Sequence, residues 1–205
     1  MPNTDNNSSE IEFESYPLFV GTLSYRFIQA ARRAVASTST SSSAINCELD
    51  SHADTCVAGS NFVMLEEADS YISVYPYSDE YPAINNIPIA SVATAWTHPT
   101  TGRTYLLVFH QALYFGTRMN HSLICPNQLR ANGITVSDAP RQFDFKSTHS
   151  ISVPFEHGTV EIPIGMKGIM SGFDTYLPST ADLEALPRLI MTSTAPWDPH
   201  SNSYP

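Results

Sequence analysis

Residues 47–57 read C-E-L-D-S-H-A-D-T-C-V. Acidic residues, a serine, a histidine and two cysteines crowd the end of a Ser/Thr-rich run. Three chemistries compete for this stretch: half a zinc site, a nucleophile with its base, or a carboxylate held at a strand end to activate water.

The whole chain narrows the choice. Its 205 residues suit one domain with ragged ends, or two small ones. Hydrophobic residues make up 42%, enough for a core, and fifteen prolines against nine glycines favour short strands and turns over long helices. Twenty acidic residues oppose ten basic ones, and the net charge of −10 argues against binding nucleic acid or docking on an anionic membrane. No apolar run is long enough to span a bilayer. The first residues, M-P-N-T-D-N-N-S-S-E, lack the basic and apolar regions of a secretory signal. Three cysteines are an odd, low count for a disulfide scaffold, which points to a reducing setting, cytoplasmic or nuclear.

Residues 1–43 read as an acidic leader with a helix over 24–36 and a Ser/Thr linker at 37–43. Residues 44–165 read as mainly β. I-N-C-E-L, N-F-V-M-L-E, Y-I-S-V-Y-P-Y, I-P-I-A-S-V-A-T-A-W, R-T-Y-L-L-V-F-H-Q-A-L-Y-F, I-S-V-P-F and V-E-I-P-I are the strands. Pro126 and Gly133 bracket a short helix. Residues 166–205 read as a Pro-rich extension, partly unstructured, with a further short helix capped by Ser179 or Thr180.

Zinc fits the opening stretch poorly. Cys47, His52 and Cys56 lack a tight C-x2-C pair, and Cys125 would have to come from afar. Ser51 and His52 would point to opposite faces of a strand, and no G-x-S-x-G elbow surrounds the serine. Cys56 or Cys125 with a distant histidine stays open, although a lone cysteine in an apolar run is usually just buried. Asp50, at the end of a strand anchored by Ile45 and Leu49, suits a water-activating acid. One carboxylate is a poor catalyst near neutral pH, whereas two held close share a proton and divide the roles of base and acid. Asp174-Thr175 is the nearest second candidate, but large residues follow it. The second carboxylate then comes from the Asp50 of a second copy in a homodimer. A turn aspartate bonding its own backbone is the plain alternative.

L-D-S-H-A-D-T-C-V resembles the retropepsin motif, in which an apolar residue precedes D-[ST]-G-[AS]. H-S-L-I-C-P-N-Q-L-R-A-N-G, residues 121–133, is similar to the later retropepsin segment, where two apolar residues and a glycine precede a short helix. The order and the separation of roughly seventy residues suit that family. The run from His110 to Gly133, and W-D-P-H-S near the end, resemble the protease region of copia-like retrotransposon polyproteins.

The resemblance implies an all-β fold: a closed retropepsin-like barrel with a flap hairpin and one short helix, homodimeric, here with an extra N-terminal helix. It implies an aspartic endopeptidase that needs no metal or cofactor, cuts its own polyprotein, and works inside the cell, in retroelement particles for instance. Asp50 would be catalytic and Ser51 would brace the paired loops. Ala53, Asp54, Tyr77, Ile84 and Ile87 would meet substrate, the last three from a flap over 71–95. Leu123 and Ile124 would support the loop from below. His52 and Cys125 stand where the family has glycine, which allows closer backbone approach than larger residues do. The other implied reading is an inactive or domesticated module of the same fold that binds peptides or partners.

Overall fold

The computed structural model describes residues 26–27, 45–66, 70–75 and 82–201. Among these, fourteen strands and two short α-helices follow one another. The strands are β1 (Arg26–Phe27), β2 (Cys47–Leu49), β3 (Val57–Ala58), β4 (Val63–Met64), β5 (Ser70–Tyr75), β6 (Ile84–Thr97), β7 (Thr104–Tyr114), β8 (Ser122–Ile124), β9 (Thr135–Ser137), β10 (Ser150–Phe155), β11 (Gly158–Pro163), β12 (Gly165–Lys167), β13 (Met170–Phe173) and β14 (Arg188–Ile190). The helices are α1 (Pro126–Ala131) and α2 (Thr180–Ala185).

Local chemistry explains the boundaries. β6 and β7 carry the longest branched and aromatic runs and pair as one antiparallel hairpin from Ile89↔Leu113 to Thr97↔Thr104. H-P-T-T-G turns the chain between them, with Gly102 at φ +68°. Pro126 opens α1, and the Cys125 thiol caps it by accepting from the Gln128 N–H. Ser179 and Asp182 form a reciprocal capping box on α2.

The main sheet runs β1-β5-β6-β7-β3-β8-β2-β13-β12, with β14 beside β7 and β4 beside β6. A second sheet has the order β11-β10-β9. The all-β expectation therefore stands, but the closed barrel does not. Among the described residues the main sheet is an open path ending at β1 and β12, because the β12–β13 hairpin extends the edge beyond β2 instead of returning to pair with β5. Of the helix expected over 24–36, only Arg26–Phe27 are described, and they pair in parallel with β5 as a strand. The rest of that segment lies outside the described residues.

Residues 166–201 are not an appendage. β12 crosses the expected boundary at 165, β13 pairs with β2, and β14 pairs in parallel with β7. Between them, Tyr176 exchanges two backbone hydrogen bonds of 2.9 Å with Ala95.

The largest core cluster joins the two sheets, with Leu107, Phe109, Leu129, Ile151 and Ile162 at 1% exposure or less. Each such side chain contributes about 1.5–3 kcal/mol by leaving water. A second cluster, Val57, Ile72, Val74, Ile87, Ile89, Leu113, Phe115 and Leu123, gathers residues of β3, β5, β6, β7 and β8 and of the turn after β7. Two glycines allow backbones to touch: a Cβ on Gly59 would strike the carbonyls of His121 and Met119, and one on Gly172 would strike the Cys47 carbonyl and the Ile45 Cγ2. Gly172→Ala should therefore destabilise the protein by about 1–3 kcal/mol, read as a lower urea midpoint at unchanged slope. An unchanged midpoint would show that β13 can move away from β2 freely.

Candidate active site

Asp50 lies where β2 stops. Its N–H still donates to the Ile124 carbonyl at 3.0 Å, so its backbone belongs to the ladder with β8. The chain then turns. The Ala53 N–H donates to the Asp50 carbonyl at 3.3 Å, and the His52 N–H donates to Asp50 Oδ1 at 2.8 Å. This is an Asx turn, in which the carboxylate orders its own loop. Ser51 and His52 are exposed. The His52 ring points outward, 75% exposed, with Nδ1 3.8 Å from Asp50 Oδ1.

The two residues that stand where the resembled motif has glycine take ordinary backbone conformations. His52 is not among the residues with positive φ, and Cys125 sits at φ −76°. Neither position demands glycine's freedom.

The loop is underpinned from α1. The Cys56 N–H donates to Gln128 Oε1 at 2.8 Å, and Gln128 Nε2 donates to the Gln111 carbonyl at 3.2 Å. The Cys125 N–H lies 3.3 Å from Cys56 Sγ, which accepts from it. Farther out, the Trp197 indole N–H donates to the Asp54 carbonyl at 2.7 Å.

A buried polar network lies beside β2. Asn61 Nδ2 donates to Thr175 Oγ1 at 2.8 Å and lies 3.2 Å from Cys47 Sγ. Ser122 Oγ donates to Asn61 Oδ1 at 2.6 Å and accepts from the Gly59 N–H at 2.8 Å. The Thr94 hydroxyl lies 2.7 Å from both the Asn61 carbonyl and Thr175 Oγ1. Asn46 and Thr175 exchange backbone–amide bonds of 2.6 and 2.9 Å. Removing one partner here strands another at about 1–3 kcal/mol.

Thr175 thus serves structure, and Asp174 is no partner for Asp50. Phe173 pairs with Cys47 and Gly172 with Glu48, so Asp174 falls opposite residue 46. That places it four strand positions from Asp50, about 13 Å along the ladder.

Glu48 is nearer. Strand alternation puts Glu48 and Asp50 on one face, and Glu48 pairs with Leu123, a member of the second cluster. That side of the sheet carries the second apolar cluster. Burial and the neighbouring Asp50 charge push the Glu48 carboxyl up, with His121 acting in the opposite direction. The pattern E-x-D on a strand was its sequence signal.

The other expected residues separate. Ala53 is buried, and the Asp54 carboxylate oxygens are shielded from solvent. Ile84 is 42% exposed on β6, whereas Ile87 is wholly buried between β5 and β7 neighbours and offers no surface to a peptide. Tyr77 lies outside the described residues. Leu123 and Ile124 are buried beneath the loop. Cys47, His52 and Cys56 do not converge: both thiols are in the core, the ring is in solvent, and no group of three metal-ligating side chains is found among the described residues. Asn61, Thr175, Gln128 and Trp197 gave no sequence signal of their roles.

Among known proteins, no family model, curated protein or solved structure matches the chain.

Two measurements follow from these environments. A carboxyl held above its unfolded value suits the fold while protonated and costs stability once pH rises through its folded value. Glu48→Gln removes that cost, so the variant should gain melting temperature over wild type at about pH 7 relative to about pH 4, where both side chains are neutral. An equal difference at both would mean that Glu48 ionises freely. Burial also pushes the Cys47 thiol up to about 12 and raises those of Cys56 and Cys125. The three thiols should react with an aromatic disulfide reagent at neutral pH at least about tenfold more slowly in the native protein than in urea. Rapid native labelling would contradict the burial.

Proposed function

We propose that the chain is a retropepsin-like aspartic endopeptidase unit of a copia-like retroelement, working as a homodimer on its own polyprotein. The observation that carries this reading is the placing of Asp50. Its backbone is tied to β8 where β2 ends, and its loop is braced from α1. The flap of this reading is the β5–β6 hairpin, and residues 76–81 between its strands lie outside the described residues.

In the reading we favour, two Asp50 side chains meet across a twofold axis and share one proton. The ionised carboxylate takes a proton from water as the water attacks the scissile carbonyl. The protonated one gives its proton to the carbonyl oxygen. Collapse of the tetrahedral diol breaks the C–N bond, and the amine leaves with a proton returned by the dyad. Among the described residues Asp174 is out of reach and Glu48 is two residues from Asp50 in the chain, so neither supplies a facing carboxylate, which supports the dimer requirement.

One observation favours the second reading, an inactive peptide-binding or partner-binding module. Asp50 Oδ1 already accepts from the His52 N–H, as an ordinary turn aspartate does.

The test is self-cleavage of the chain within its flanking polyprotein sequence, wild type beside Asp50→Asn, between about pH 4 and 7. Wild type should release fragments, blocked by a transition-state-mimicking aspartic protease inhibitor. Asp50→Asn should lose at least about a thousandfold in rate. Cleavage that survives Asp50→Asn would sink the mechanism, and a folded, dimeric but silent wild type would favour the binding module.

A further inference from the structure

The loop from Asp50 to Cys56 is fixed at both ends by one short stretch of chain. Ile124 takes the Asp50 N–H, and Gln128 takes the Cys56 N–H. The middle of the loop is held from elsewhere. The Asp54 carbonyl accepts from the indole of Trp197, 143 positions away in sequence. An indole N–H is a donor only, so this contact is directional and single-purpose.

The segment that carries Trp197 is itself secured. The Met191 N–H donates to the Val108 carbonyl at 2.8 Å. Thr192 Oγ1 accepts from the His110 N–H and donates to the His110 carbonyl, both at 2.7 Å. Asn132, at the end of α1, donates to the Ile190 carbonyl at 3.3 Å. From there the chain crosses α1, where Gln128, Ala131 and Asn132 line a small cleft with Ala195, Pro196 and Trp197. Pro196 and Pro199 restrict the backbone on either side of the indole. Helix, loop and C-terminal segment thus close a ring: α1 holds Cys56, Trp197 holds Asp54, and Trp197 rests beside α1.

We propose that Trp197 is a positioning residue for the Asp50 loop, and that the segment 191–201 belongs to the working unit as the outer brace of the site. The proposal rests on the protease reading for its catalytic consequence. Trp197 meets the loop backbone through Asp54, so its loss should alter turnover more than substrate affinity. A displacement of about 1 Å in a catalytic group can cost up to about a hundredfold in rate.

Trp197→Phe in the full chain keeps an aromatic ring and removes the N–H. Two readouts are taken beside wild type: amide exchange by mass spectrometry, and steady-state cleavage of a peptide copied from the wild-type processing site. Peptides covering 50–56 should exchange about fivefold faster or more, with β7 and β14 unchanged. kcat should fall about tenfold, with KM within about twofold. Unchanged exchange at 50–56 overturns the proposal whatever the activity does. Loss of protection across β7 and β14 together with the loop marks general destabilisation and overturns it too. Asp50→Asn runs in parallel: cleavage persisting there removes the protease reading, while the exchange result still decides whether Trp197 holds the loop.

Discussion

Strand β8 lies between β2 and β3, two strands that follow one another in the chain, and the geometry at Asp50 depends on that insertion. β2 pairs with β8 in parallel, and Val57 of β3 pairs with Leu123 from the other side. The segment 50–56 must therefore pass around the end of β8 to reach β3. A chain forced round a strand end has few conformations, and this one is tied at both its first and last residues. Gly59 lets the return strand approach the backbone at Met119 and His121, which a side chain would prevent. The parallel pairing fixes Glu48 and Leu123 to one face, so the surroundings of Glu48 follow from register alone.

The polar network around Asn61 and Thr175 gives the insertion its uniqueness. Apolar residues alone would accept several packings of short strands. Asn61, Thr94, Ser122 and Thr175 are buried, and each finds a partner only when β2, β6, β8 and the chain after β13 are all in place. A register slip would leave several of these groups without partners in a low-dielectric interior, where the cost is highest. The network therefore selects one arrangement of the strands that carry Asp50.

Much of this could be read from the residues because the signals are local. Pro126 and Gly133 delimit α1, Ser179 caps α2, and the branched and aromatic runs of β6 and β7 announce strands. The turn at Asp50 is likewise written into D-S-H-A. What escaped depends on distance. β12, β13 and β14 are three or four residues long and interrupted by Gly and Pro, and they are strands only because β2 and β7 offer edges to them. The same holds for Thr175 and Trp197, whose partners lie 81 to 143 positions earlier. Ile87 was expected at substrate only through the resemblance, and its burial depends on β5 and β7 closing around it, which its own neighbours in sequence do not specify. The open path of the main sheet depends on where the β12–β13 hairpin turns, and nothing in that short segment specifies its direction.

The late strands also set a clock. β2 gains its outer neighbour only from residues 170–173, and the Asp54 carbonyl gains its indole only from residue 197. Pairings across such sequence separations form late, because the loops that connect them must close first. On the ribosome the first half of the molecule emerges without these partners and waits for them. A site assembled in this order cannot be complete until residue 197 has left the exit tunnel. The sequence that follows Asp50 therefore sets when the loop around Asp50 can take its final form.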